Sequence, residues 1–246
     1  MTTVDTRIAS RAVSARKIYG RGDTAVRALD DVTVGFPSGQ FTAIMGPSGS
    51  GKSTLMHCLA GLDPLTSGQV FLGDTDLSTL SDLALTRLRR ERIGFVFQSF
   101  NLLPTLTAAE NITLPLRLAG TAPDRAWIDQ ITKTVGLDDR LRHRPAELSG
   151  GQQQRVAVAR ALATRPDVVF ADEPTGNLDS AAGAELLGFL RRAVDEFGQT
   201  VVMVTHDPFA ASQADAVVLL ADGRVVDRID APTVTTIRDR MTGFGS

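Results

Sequence analysis

Apolar residues along this chain fall into two kinds of run. Three are unbroken, beginning at Phe41, Val168 and Val201 and covering Phe41–Met45, Val168–Ala171 and Val201–Thr205. Such runs suit strands buried on both faces, and strands of that type lie in parallel sheets. A fourth short apolar strand is expected at Ile93–Phe97. Other runs alternate. Ala12–Tyr19 and Ala28–Phe36, joined by the turn-rich Gly20-Arg21-Gly22-Asp23-Thr24, predict an antiparallel entry region up to about Pro37. Gly68–Leu72 with Gly73 predicts another strand and turn, and Asp215–Leu220 with Arg224–Arg228 a closing hairpin around Ala221-Asp222-Gly223.

Helices are predicted over Ser53–Ala60 (closed by Gly61), Asp82–Arg90, Trp127–Val135, Gln152–Thr164 and Glu185–Phe197. From residue 99 to about 165 the chain changes character. Leu102, Leu103, Leu106, Ile112, Leu114, Leu116 and Leu118 recur at helical spacing, with breaks expected at Pro104, Pro115 and Pro123. A mostly helical insertion is the reading. Residues 231–246 are turn-rich and carry no assignment, and no internal repeat or low-complexity tract is present.

Composition narrows the function. With 246 residues and 43% apolar content, one large α/β domain is affordable. A net charge of −2 argues against a nucleic-acid surface as the main business. The single cysteine, Cys58, is expected as a small buried hydrophobe, and a lone cysteine fits a reducing compartment. Neither an apolar run near 18 residues nor a signal peptide at Met1–Ser10 is found, so a soluble chain is expected, meeting a membrane only through a partner. Without secretion the sequon Asn111-Ile112-Thr113 is accidental.

The chemistry gathers behind the unbroken runs. After Met45 come Gly46-Pro47-Ser48-Gly49-Ser50-Gly51-Lys52-Ser53-Thr54, a full match to G-x-x-x-x-G-K-[ST] between a strand and a helix. Glycines let backbone N–H groups wrap phosphate oxygens, and the helix start adds positive charge. Lys52 would reach the β- and γ-phosphates, and Ser53 would hold Mg²⁺. Asp172-Glu173 follows the second run and His206 the third, while Gln98 follows Ile93–Phe97. In open parallel sheets ligands bind beyond the carboxyl ends of the strands, so four segments would converge on the phosphates. Asp172 would anchor the ion and Glu173 would orient and deprotonate water; the bland alternative is a solvated strand end.

Ser149-Gly150-Gly151-Gln152 is a second capped, glycine-bare helix start, about a hundred residues from the first. One phosphate group has little use for both in one subunit, and the pair makes sense if this start covers the γ-phosphate held by another copy; the bland alternative is a plain N-cap. Tyr19 ends the first alternating run; composition leaves open whether it is an edge aromatic or a ring stacked on a base.

Together these segments resemble the nucleotide-binding subunit of ATP-binding cassette proteins, over nearly the whole chain. Gly46–Thr54 is similar to the Walker A loop, Gln98 to the Q-loop, and Leu148-Ser149-Gly150-Gly151-Gln152 to the LSGGQ signature. Val168–Glu173 is similar to Walker B, Gly176-Asn177-Leu178-Asp179 to the D-loop, His206 to the switch histidine, and Tyr19 to the base-stacking aromatic. The resemblance implies an α/β fold: a P-loop NTPase (RecA-like) core with a mainly parallel sheet, an N-terminal antiparallel β-region and a helical subdomain insertion. It implies one domain, with the core at about 1–98 and 166–230, the helical subdomain at about 99–165 and a tail at 231–246. It further implies a homodimer sandwiching two ATP molecules with Mg²⁺, in which Ser149–Gln152 acts in trans and Asp179 ties the two sites together. Ser53, Gln98 and Asp172 would hold the ion, Glu173 would polarise water, and His206 would contact the γ-phosphate.

One motif set is too few for a paired-cassette translation factor, and residues 99–165 are too short and proline-broken for the heptad insertion of chromosome-maintenance ATPases. Gly94–Pro104 and Glu110–Leu116 are similar to the bacterial group of macrolide and antimicrobial-peptide exporters and lipoprotein-releasing systems. That implies a cytoplasmic motor, peripheral on the inner face of the membrane beside an integral permease. The alternative is a cell-division cassette ATPase, which regulates cell-wall hydrolases through a membrane partner and transports nothing.

Overall fold

The computed structural model describes residues 7–243. Most of Met1–Ser10, where a signal peptide was sought, and the last three residues of the tail lie outside the described residues. The chain opens with β1 (Ile8–Tyr19) and β2 (Val26–Pro37), then β3 (Phe41–Met45), α1 (Lys52–Leu59), β4 (Ser67–Leu72), β5 (Thr75–Asp76), α2 (Asp82–Arg92) and β6 (Ile93–Phe97). Helices α3 (Ala108–Ala119), α4 (Arg125–Thr134) and α5 (Gly150–Leu162) follow. The rest runs β7 (Val168–Asp172), α6 (Ser180–Phe197), β8 (Val201–Val204), α7 (Pro208–Ala211), β9 (Ala216–Ala221), β10 (Arg224–Asp230) and α8 (Val234–Thr242).

Two sheets form. One is antiparallel in the order β2-β1-β4-β5; the other has the order β10-β9-β3-β8-β7-β6. In the second sheet β9, β3, β8, β7 and β6 are parallel and only β10 runs against its neighbour. The unbroken runs behave as their composition demands. Along β8, Val201 and Met203 enter one core and Val202 and Val204 the other. Along β7, Val169 and Ala171 face the first core while Val168 and Phe170 face the second. Helices α3 to α6 contribute to the first core, and α1 with the antiparallel sheet fills the second. With both faces covered, the side chains of these strands are almost all apolar, Thr42 of β3 being a buried exception.

The closing hairpin forms through Asp222 (φ 48°) and Gly223 (φ 72°), the two left-handed residues a tight turn needs. Helix α6 starts five residues before the apolar periodicity does, because the Asp179 carboxylate accepts the Ala182 N–H and caps it. The tail, left unassigned from sequence, holds α8, anchored by the buried Ile237.

Two expectations between residues 99 and 120 are corrected. Pro115 does not break the helical run; it sits inside α3. A capping box of Thr107 and Glu110, a left-handed Gly120 at the C-cap, and buried Ile112 and Leu116 together outweigh a cost of about 3 kcal/mol for an interior proline. Conversely Leu102, Leu103 and Leu106 are not helical. That loop is wound around the buried Asn111, whose amide bonds the Leu103 N–H and the Leu103, Leu106 and Thr107 carbonyls. A side chain so engaged cannot accept a glycan, as expected of the sequon.

Candidate active site

Strand β3 delivers the chain to a loop that only glycines can make. Gly46 has φ 154°, and a Cβ there would lie 1.9 Å from the Leu220 carbonyl oxygen at the end of β9. Gly51 has φ 97°, and a Cβ there would lie 2.2 Å from the Ala28 carbonyl oxygen on β2. The loop is therefore pressed between two strands, with its tip at Pro47, Ser48 and Gly49 exposed. Ser50 is buried within it, donating its N–H to the Pro47 carbonyl and accepting Gly223 N–H on its own. Helix α1 starts directly at Lys52, so the N–H groups of Lys52, Ser53 and Thr54 have no partner one turn back. Lys52 folds over the loop and donates to the Gly46 and Pro47 carbonyls at 3.0 and 2.8 Å. Burial pulls its pKa below the usual lysine range, while Glu173 and Asp172 act the other way.

The strand order sets the rest. With β3, β8, β7 and β6 side by side and parallel, the residues after each strand stand in the spatial order Lys52 and Ser53, His206, Asp172 and Glu173, Gln98. The Ser53 hydroxyl lies 3.4 Å from Asp172 Oδ1. Asp172 has its pKa raised, first by burial and further by Glu173, with His57 opposing. Glu173 occupies a left-handed conformation, φ 45°, pinned by its N–H to the Val204 carbonyl at 2.9 Å. A non-glycine residue held there is strained, as active-site residues often are. Its carboxylate Oε1 stands 2.9 Å from His206 Nδ1.

Gln98 follows β6, beside β7, and its amide is engaged by Asn177. Its Nε2 donates to Asn177 Oδ1 at 3.3 Å, and Asn177 Nδ2 returns a bond to the Gln98 carbonyl at 3.0 Å. Ser149–Gln152 forms a full capping box: Ser149 Oγ accepts Gln152 N–H and Gln152 Oε1 accepts Ser149 N–H. Ser149 and Gly150 are exposed, and among the described residues no hydrogen bond or ion pair joins 149–152 to 46–54. Asp179 is engaged as the cap of α6. Tyr19 is exposed at the end of β1, its hydroxyl donating to Asp63 while the Lys17 ammonium sits 4.8 Å from its ring.

Two contributors, His57 and Asp63, escaped the sequence reading. His57 Nε2 lies 3.9 Å from Asp172 Oδ2. Its signal was available, since Ser53 and His57 are four apart on one helix face. Asp63 had no such signal, because its partners Lys17 and Tyr19 are distant in sequence, and Asn177 was read only as part of the D-loop, with no sign of its bond to Gln98. Residues suited to Mg²⁺ are present: the Ser53 hydroxyl and the half-buried Asp172 carboxylate, 3.4 Å apart. Among the described residues no cluster of three His, Cys, Asp or Glu could hold an ion unaided. Magnesium needs no such cluster, because it takes one or two carboxylates and completes its shell with phosphate and water.

A glycine-cradled helix start flanked by a carboxylate pair at parallel strand ends defines a P-loop nucleotide-hydrolysing protein. The ABC transporter family model matches residues 29–176. An ABC transporter ATP-binding protein of Thermotoga maritima is 48% identical over 87% of this chain and 92% of its own. The macrolide export ATP-binding/permease protein MacB of Rhodopirellula baltica is 45% identical over 92% of this chain, which spans only 34% of that longer protein. Among solved structures, a dimeric post-hydrolysis state of the cassette MJ0796 bound to ADP and Pi is 41% identical with a TM-score of 0.81, covering 90% of this chain and 98% of that one. The chain belongs to the ABC transporter family and is an ATP-binding cassette ATPase.

Proposed function

We propose that this chain is the ATP-hydrolysing motor of a bacterial ABC exporter, of the type that moves macrolides, peptides or lipoproteins. The observation carrying this reading is its 45% identity to a protein that joins such an ATP-binding part to a macrolide-export permease. Two copies close on two ATP molecules, as the dimeric MJ0796 cassette supports. Within one copy, the core (about 1–98 and 166–230) holds the nucleotide and the helical insertion (about 99–165) carries the trans-acting Ser149–Gln152. The site faces the inner side of the membrane, and closure and reopening move an integral permease.

The chain's own groups supply the chemistry. Backbone N–H groups of Gly49, Gly51, Lys52, Ser53 and Thr54 at the helix start cradle the phosphates, and Lys52 leaves the carbonyls of its own loop for phosphate oxygens. Tyr19 stacks on the base. Glu173, held by its backbone and by His206, takes the proton of the attacking water and aligns its oxygen with the γ-phosphorus. His206 contacts the γ-phosphate, and Asp179 links the two sites. Ser53, Asp172 and Gln98 hold Mg²⁺, which when bound neutralises charge building on the phosphate oxygens. Positioning and charge stabilisation carry the rate, and donation in trans makes it conditional on closure.

Affinity capture of the full chain from its native membrane, with ATPase assays, tests the exporter reading. A co-purifying permease and turnover stimulated by a macrolide or lipopeptide are expected. Recovery of cell-division proteins, with no solute stimulating turnover, would overturn it.

A further inference from the structure

One fully buried amide joins the backbone beside two site residues. Gln154 lies in α5, five positions after Ser149, and is 0% exposed. Its Nε2 donates to the Pro174 carbonyl at 2.9 Å and reaches the Phe97 carbonyl at 3.4 Å. Pro174 directly follows Glu173, and Phe97 directly precedes Gln98. The amide cannot be turned over, because its oxygen would then face two carbonyl oxygens. In its actual orientation Oε1 is buried and accepts from no protein group among the described residues. An unpaired buried acceptor lowers stability, and an apolar residue of the same length would fill the space without it. Packing alone therefore does not account for glutamine here; the bond to the two carbonyls does.

A second grip reinforces the first. Arg160, on the same helix, donates to the Phe100 and Asn101 carbonyls at 2.9 and 2.6 Å. Asn101 is held in a left-handed conformation, φ 51°. Helix α5 thus clasps the segment on both sides of Gln98, and with Gln154 it also reaches the residue after Glu173. The same helix begins with Ser149–Gln152.

We propose that Gln154 is a positioning residue for ATP hydrolysis. It registers α5, and so the trans-acting helix start, against Glu173 and Gln98 through the Pro174 and Phe97 carbonyls. When the helix start is drawn onto the partner's nucleotide, this link sets Glu173 and Gln98 for the reaction. Sub-ångström misplacement of such groups slows chemistry without weakening substrate binding. The inference rests on the reading of Glu173 and Gln98 as hydrolytic residues.

Gln154→Met in the full chain keeps the length of the side chain and removes the donor. Its kcat is expected to fall about tenfold or more, with KM for ATP within about twofold and the melting temperature not lowered. Gln154→Asn, which retains a shortened amide, is expected to recover part of the loss. An unchanged kcat, a loss confined to KM, or failure of both variants to fold overturns the proposal. Glu173→Gln, measured alongside, separates the two readings. If it turns over ATP normally, the role of Glu173 is wrong; if it is inactive while Gln154→Met is not, only this inference falls.

Discussion

His206 Nδ1 stands 2.9 Å from Glu173 Oε1, so the second residue past β8 holds the carboxylate of the residue that follows β7. Parallel pairing of those strands, with Asp172 opposite Val204, brings them together. Glu173→Gln is expected to bind ATP and accumulate as a closed dimer, with turnover reduced about a hundredfold or more. Size-exclusion chromatography with ATP and steady-state hydrolysis check this; normal turnover excludes Glu173 as the base. His206→Ala, which frees that carboxylate, should also lose turnover while retaining nucleotide affinity.

Lys52 is bonded to carbonyls of its own loop, and those contacts must be exchanged for phosphate. Lys52→Ala leaves the loop's backbone geometry intact but removes the charge. Affinity for a fluorescent ATP analogue should drop at least about tenfold, or 1.4 kcal/mol. Wild-type affinity in this variant would contradict the assignment of the loop.

Gly46→Ala places a methyl group 1.9 Å from the Leu220 carbonyl oxygen at a φ of 154°. Neither backbone can yield without shifting β3 against β9. A loss of roughly 3 kcal/mol or more of stability is expected, read as a lower denaturation midpoint together with lost ATP binding. Gly22, at φ 57° in the turn between β1 and β2, is strained for alanine too, but an added Cβ there meets nothing within 4 Å, so the loss should be smaller.

Ser149 caps α5 and is exposed. Ser149→Ala should cost about 1 kcal/mol of stability through the lost cap. Its effect on hydrolysis should greatly exceed its effect on nucleotide binding, since binding relies on the other loop. Mixed with Glu173→Gln chains, the variant should impair closure even though it carries an intact phosphate loop. Closure as complete as with wild-type chains would argue against action in trans.

Asp30 on β2 ties the antiparallel sheet to Arg224 of β10, with Arg27 as a second partner. The Arg224 guanidinium, more than Arg27, holds its carboxyl below the usual carboxylate range. A depressed folded-state pKa adds stability above the unfolded value of about 4, and that part is lost as pH falls through the folded value. Wild type should therefore melt higher than Asp30→Asn at neutral pH, with the gap shrinking in acid. A gap that stays constant from neutral pH into acid would show that the ion pair contributes nothing to stability.

Much of this protein is written locally. The phosphate loop is legible because glycine spacing, the lysine and the flanking strand and helix lie within a few residues of one another. Unbroken apolar runs announce strands covered on both faces, since a polar residue in either core would be left unpaired. The hairpin at Asp222-Gly223 and the capped start at Ser149 are equally local. What the tertiary structure decided depends on contacts between distant segments. Strand order put Lys52, His206, Glu173 and Gln98 in one row, and nothing local specifies which strand lies beside β3. Pro115 remains helical because caps and core packing exceed its intrinsic cost. His57 beside Asp172, Asn177 on Gln98, and Gln154 between Phe97 and Pro174 join residues 20 to 115 apart in sequence, so only folding brings them within hydrogen-bonding or ion-pair range.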